Sequence, residues 1–369
     1  MSIGRLAIIG TGLMGASVGL AAKRAGVERV IGFDSDESVL GAAAERGAID
    51  GIAPTLPDAV AEAELVVVAV PVAELPMQVA AVLAASTEDA TVTDVGSTKS
   101  AVCAAALGSP RFIGGHPVCG SDARGPTHGR AELFEGATWF LTPLRETDST
   151  RYRLVHGFVG DLGAFPVAVD PQAHDRLVAL TSHLPHALAN LLLNQAGATR
   201  IEGHDPLTAV GGSLRDMTRV AGANPAIWVD IFLDNADAIA EALTEHRRRL
   251  DQLETALTAG DAGFLARWIG EAAGNRRRLL AEAFADAGAL QQVRVHVPDR
   301  PGVLAGITVA LGAERINIED FELHHLSPER GGTLTLLITG EEQAAKAAEL
   351  LTRQGYGVLV SPVLEDEQR

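Results

Sequence analysis

A chain of 369 residues, 47% hydrophobic but only 4% aromatic, has room for two or three domains with cores of Ala, Val and Leu. Its net charge of −17 and pI near 5.0 argue against a binder of phosphate backbones, which needs a basic face, and oblige any anionic substrate to find a locally basic pocket. Cys103 and Cys119 form neither a disulfide framework nor a Cys-x-x-Cys pair, the opening residues lack the order of a secretory signal, and the apolar run 65–72 is too short to span a bilayer. A cytoplasmic protein is expected.

Residues 5–9 form an apolar run that leads straight into Gly10, and the pattern over 13–24, closed by Gly26, predicts a helix. Residues 30–33 read as a second strand, and the Val-rich run 65–70 as a parallel strand covered on both faces. Further strands are expected at 91–95, 111–113 and 138–141. Strands alternating with helices predict an α/β, doubly wound, Rossmann-type domain over residues 1–169. Asp170-Pro171 is a helix start, with Asp as N-cap and Pro at the first helical position. From there to 288 the pattern is helical: one helix over 171–196 with a kink at Pro185, and another running unbroken from Asn224-Pro225 to Ala259. At 1.5 Å per residue the second would be about 50 Å long, more than a small domain buries, which predicts an all-α domain packed against a second subunit. Residues 289–369 follow a strand-helix-strand-strand-helix-strand order, a small α+β (βαββαβ) domain.

Gly10-x-Gly12-x-x-Gly15, with Leu13 and Met14 inside it, lies between a predicted strand and a predicted helix. The first glycine permits the tight turn, the second admits a pyrophosphate, and the third lets helix and strand pack closely. Asp34 follows Gly15 by 19 residues, at the end of the second strand. A carboxylate there binds both ribose hydroxyls and repels a 2′-phosphate, so NAD is expected rather than NADP. Val70 and Pro71 end another strand on the cofactor side.

His116 sits in the glycine-rich stretch 112–122, read as a loop after a strand at the ligand-binding edge of such a sheet. As a residue type it suits general base catalysis or a structural hydrogen bond. Ser97, in the loop 93–100, suits orientation of His116 or of substrate, or an ordinary helix N-cap. His183 and His186 stand at i, i+3 on one helix face. No third ligand is near them in sequence and hydride transfer needs none, so no metal is expected. Arg215 and Arg219 stand at i, i+4; an arginine there suits a substrate carboxylate, or else a solvated helix face, the reading favoured for Arg215.

In combination and order, Gly10 to Gly15, the 93–99 loop, Gly114 to Gly120, Ser182 to His186, Arg215 to Arg219, Asn224-Pro225 and Trp228 resemble the prephenate/arogenate dehydrogenase family of tyrosine biosynthesis, over about residues 5–285. The resemblance implies NAD-dependent oxidative decarboxylation of prephenate to 4-hydroxyphenylpyruvate, or of arogenate to tyrosine. It implies that His116 takes the ring hydroxyl's proton with support from Ser97, and that Arg219 holds a substrate carboxylate. By the same resemblance His186 and Asp216 form an ionic pair beside the entrance, Trp228 lines the pocket, and the helical domain dimerises. Asp122, six residues after His116 where many relatives carry Glu, is expected to permit the amine-bearing substrate. The C-terminal region resembles an ACT domain, its first loop carried by Asp299, Pro301, Gly302, Val303 and Leu304. An L-tyrosine effector is expected there; a purely structural dimerisation module is the other reading.

A β-hydroxyacid dehydrogenase shares the cofactor turn and a helical dimer but uses a lysine on the helical domain, and residues 170–259 contain none. A non-catalytic sensor of NAD and amino acids would not need His116, Ser97 and Arg219 together.

Overall fold

The computed structural model describes residues 3–119, 123–283, 289–327 and 331–363, which form two compact units, Met1–Arg248 and Arg249–Arg369. In chain order the first unit contains β1 (Arg5–Ile9), α1 (Leu13–Arg24), β2 (Arg29–Phe33), α2 (Glu37–Glu45), β3 (Gly51–Ile52), α3 (Leu56–Val60), β4 (Leu65–Val68), α4 (Leu75–Ala85), β5 (Thr91–Asp94) and α5 (Ser100–Ala105). It continues with β6 (Phe112–Pro117), β7 (Thr138–Pro143), α6 (Ser149–Asp161), β8 (Phe165–Ala168), α7 (Pro171–Val178), α8 (Leu184–Ala198), α9 (Gly212–Thr218), α10 (Pro225–Asp234) and the start of α11 (Ala236–Ala259).

Eight strands form one sheet in the order β3-β2-β1-β4-β5-β6-β7-β8. All neighbours are parallel except β6 and β7. The continuous apolar strands follow from burial on both faces: Leu6 and Ile8 of β1 and Leu65 and Val67 of β4 enter one core, while Ala7, Ile9, Val66 and Val68 enter the other. Each fully buried Val or Leu contributes about 1.5–3 kcal/mol.

Two helical expectations need correction. The run 171–196 is not one helix with a bend at Pro185: α7 passes through a π-turn, Ala179–His183, before α8 begins. Pro185 lacks an N–H and its ring crowds the carbonyl four residues back, and the wider turn relieves both. The long helix expected over 224–259 breaks at Asn235, which leaves helical geometry at φ −107° and ψ 25°. The apolar spacing continues through the break, so the pattern hides it. His116 also differs from expectation. It lies inside β6, opposite Phe140, because β7 returns antiparallel and extends the ladder to Pro117 and Trp139.

The second unit contains the end of α11, α12 (Ala262–Ala283), β9 (Leu290–Val297), α13 (Val303–Ala313), β10 (Asp320–Ser327), β11 (Gly331–Thr339), α14 (Glu341–Arg353) and β12 (Gly357–Pro362). Its four strands form an antiparallel sheet, β10-β11-β9-β12. Val293, Val295 and Val297 alternate inward against Ile307 and Leu311 of α13 and Leu351 of α14.

Candidate active site

The glycine turn leaves β1 with Gly10 at φ +90°, where a β-carbon would lie 2.6 Å from the carbonyl oxygen of Ala69. A β-carbon on Gly15 would meet the Gly10 carbonyl at 1.9 Å, whereas one on Gly12 would meet nothing within 4 Å. Two of the glycines are therefore required by packing, and the third keeps open space at the N-terminus of α1, as a pyrophosphate requires. Leu13 and Met14 open α1 half-buried, and Val70 lies against Gly10 with Pro71 next in the chain. Asp34 accepts hydrogen bonds from the Thr11 N–H (2.7 Å) and hydroxyl (3.3 Å) and from the Asp36 N–H (3.0 Å). Its carboxylate is thus fixed over the turn, where it suits a ribose diol and opposes a 2′-phosphate.

β1, β4, β5 and β6 are consecutive and parallel, so their carboxyl ends share one edge. The glycine turn follows β1, Val70 and Pro71 follow β4, Ser97 follows β5, and His116 stands near the end of β6. Three strand spacings, about 14 Å, separate the first from the last. This is a span on the scale of a dinucleotide reaching from its pyrophosphate to its reactive ring.

His116 is half-buried. Its Nδ1 lies 2.8 Å from Nε2 of the fully buried His174, whose Nδ1 donates to Oδ1 of Asp175 at 2.8 Å. The remaining capacity of Asp175 is used by the N–H groups of Lys99 (2.8 Å) and Ser100 (2.7 Å); burial pushes its carboxyl up, but the bond from His174, then those from Ser100 and Lys99, hold it below the usual range. Burial, and then the neighbouring His174, Lys99 and His183, hold His116 well below an ordinary histidine, partly opposed by Asp175. The ring is therefore neutral and able to accept a proton at physiological pH.

Beneath it, the buried Lys99 donates to Asp94 and to the Gly115 carbonyl (2.8 Å), while Asp94 also accepts from the N–H groups of Gly96 (2.9 Å) and Gly115 (3.0 Å). This network fastens the loop carrying Ser97 to the strand carrying His116. The described contacts give His116 Nδ1 to His174, not to Ser97.

On the helical side, the indole of Trp228 stacks on His186 at a centroid distance of 3.5 Å and meets His183 edge-on at 6.0 Å. His183 is buried; Asn235 Nδ2 lies 3.0 Å from its Nδ1 and donates to the Asp175 carbonyl at 2.9 Å. Burial first, then His186 and His174, depress His183 to about 4 despite Asp175. The two histidines thus differ in role: one is locked inside, the other faces the indole with its Nδ1 donating to the Ser182 carbonyl (3.0 Å). Arg219 follows α9 and is exposed, as is Asp216 within it. Asp122 lies outside the described residues.

His174, Asp175 and Asn235 escaped the sequence reading. The one available signal was the His-Asp pair in the second turn of the helix that Asp170-Pro171 starts. In the second unit, a cavity of about 110 Å³ is lined by Asp299, Gly302, Val303 and Leu304, with Leu323 and Leu334 opposite; Pro301 is not part of its lining. Gly302 caps α13 at φ +87°, a conformation that favours glycine.

Residues 18–167 match the family model for the prephenate dehydrogenase nucleotide-binding domain, 170–271 that for the prephenate dehydrogenase dimerization domain, and 291–355 that for the ACT domain. The chain is 32% identical over 352 residues to a prephenate dehydrogenase of Bacillus subtilis, across 93% of this chain and 94% of that protein. It is 32% identical over 265 residues to a cyclohexadienyl dehydrogenase of Zymomonas mobilis, across 70% of this chain and 90% of that one. Among solved structures, prephenate dehydrogenase from Aquifex aeolicus in complex with hydroxyphenyl propionate and NAD+ aligns at a TM-score of 0.70 and 29% identity, covering 76% of this chain and 99% of that one. Synechocystis arogenate dehydrogenase aligns at 0.69 and 28%, covering 74% and 99%. With a dinucleotide turn, a half-buried histidine on the same sheet edge and this agreement along nearly its whole length, the chain belongs to the prephenate dehydrogenase family.

Proposed function

We propose that the protein is an NAD-dependent prephenate dehydrogenase, converting prephenate to 4-hydroxyphenylpyruvate. The observation that carries this reading is a neutral, half-buried His116 on the edge that also holds the glycine turn and Asp34. Bound NAD supplies the hydride acceptor. His116 takes the proton of the ring hydroxyl as C4 loses hydride, and the resulting ketone draws the electrons released when the ring carboxylate departs as carbon dioxide. Aromatisation turns the ketone oxygen into a phenolate, to which the proton returns, so no net proton is released. Ser97 orients the hydroxyl or His116, Arg219 pairs with a substrate carboxylate, Trp228 and His186 wall the ring, and Asp216 balances the charge beside the entrance.

Production of NADH from prephenate tests the reading, with arogenate run in parallel. No turnover of either substrate would refute it. Asp122 is assigned the choice between them, because a carboxylate there favours an amine and repels a second carboxylate. Asp122→Asn then lowers the arogenate-to-prephenate ratio of kcat/KM, and an unchanged ratio removes that role.

Regions 1–169, 170–288 and 289–369 are assigned to cofactor binding, substrate binding with dimerisation, and regulation. Exposed Leu191, Ile227, Val229 and Leu233 support a homodimer through the helices. The loop-lined cavity in the ACT region supports an L-tyrosine effector. Two free thiols fit a cytoplasmic enzyme, and no helix among the described residues is long and apolar enough to cross a membrane.

A further inference from the structure

We infer that His174, held by Asp175, is a positioning residue that fixes the proton of His116 on Nδ1 and so leaves Nε2 as the atom that accepts from substrate. The inference rests on the proposed role of His116 and deepens it. A carboxylate has no proton to give, so the 2.8 Å contact from His174 Nδ1 to Asp175 puts a proton on that Nδ1. In a neutral His174 the other nitrogen, Nε2, then carries a lone pair. The only way to satisfy the 2.8 Å contact to His116 is for His116 Nδ1 to donate. His116 is left with an unprotonated Nε2. Without His174 the ring would divide between two tautomers, one of which offers an N–H to a hydroxyl that must itself give up a proton.

The same chain handles the charge that the reaction creates. When Nε2 takes the hydroxyl proton, His116 becomes an imidazolium whose Nδ1–H still points at His174, with the Asp175 carboxylate behind it. When the ring aromatises, the phenolate oxygen takes the proton back from Nε2 and His116 is neutral again. His174 and Asp175 end as they began.

The groups facing His116 are His174 and Asp175 from α7, Lys99 from the loop after β5 and His183 from the π-turn, with the uncharged Phe140 opposite on β7. Lys99 is already paired with Asp94, so Asp175 is the facing group that favours a charged His116. Asp175 is held independently by the N–H groups of Lys99 and Ser100 and, through its carbonyl, by Asn235. The supporting carboxylate therefore stays in place whether or not the imidazole chain is charged.

The direct test is ¹⁵N NMR of histidine-labelled full-length enzyme, with His116 assigned through His116→Asn. The expected result is a protonated Nδ1 and an unprotonated Nε2 in the resting wild type, and a mixture of tautomers in His174→Leu. A resting His116 protonated on Nε2 would overturn the inference. This measurement needs no turnover, so it can fail while NADH production from prephenate succeeds, and the reverse.

Kinetics give a second reading. His174→Leu is expected to lower kcat by about 10²-fold with KM for prephenate little changed, and His174→Gln, which keeps an acceptor, to recover part of the loss. Asp175→Asn removes a group that raises the affinity of His116 for its proton, so the acidic limb of the kcat/KM profile moves to lower pH while kcat falls. Losses in both variants with an unmoved limb and no recovery by Gln would reduce His174 to packing.

Discussion

The two nitrogens of His116 are held to different tasks, and this governs how its variants behave. His116→Asn keeps a polar side chain but cannot accept the hydroxyl proton as a base. It is expected to lower kcat by about 10²–10⁴-fold in the NADH assay while NAD binding, read by calorimetry, is retained. Arg219 is assigned to affinity instead: if it pairs with a substrate carboxylate as proposed, Arg219→Ala is expected to raise KM for prephenate about 10–100-fold with a smaller change in kcat. The sequence singles out both residues as candidates, His116 from its glycine-rich setting and Arg219 from its place in the family pattern. His174, the partner of His116, is not singled out, because it lies 58 residues away and the contact exists only once α7 packs beside β6 and β7. Asp94 and Lys99 stood in a recognised loop, yet nothing in their spacing says that both side chains are wholly buried and joined.

At the scale of elements, the site depends on two interruptions. The π-turn after α7 separates the histidine that faces inward from the one that faces Trp228, and the break at Asn235 turns an amide toward that π-turn. Asn235 is buried, so Asn235→Ala leaves the Asp175 carbonyl and His183 Nδ1 short of a donor. The expected cost is about 1–3 kcal/mol, measured as a lower midpoint in denaturant unfolding, with activity at low temperature largely kept. The sequence shows apolar spacing continuing through both interruptions. Periodicity records which face is buried, and it is silent on whether the backbone slips one residue while keeping that face. Strands were read more securely: the Val-rich run of β4 and the alternation in β9 each follow directly from burial on two faces or one. The short β3 carries too little pattern to be seen.

For the whole molecule, pH acts through the buried imidazoles. His183 accepts a proton near pH 4 when folded but near its ordinary 6.5 when unfolded. The unfolded chain therefore binds more protons in that window, and stability is expected to fall as pH drops from about 6.5 toward 4, with His116 acting in the same direction. Thermal melts across that range check it; a melting temperature that rises on acidification would contradict it. Regulation also belongs at this scale. L-tyrosine is expected to bind the full-length protein in calorimetry and to inhibit NADH production, and a Gly302→Val variant, strained at its positive φ beside the cavity, is expected to lose inhibition before it loses basal turnover.

Asp94 has one further consequence. Its carboxylate gathers Gly96 from the loop that carries Ser97, Gly115 from the strand that carries His116, and the Lys99 ammonium below both. The ground on which hydride and proton part company is thus cast as one block when the sheet forms. Its rigidity is that of the buried core to which Asp94 and Lys99 belong.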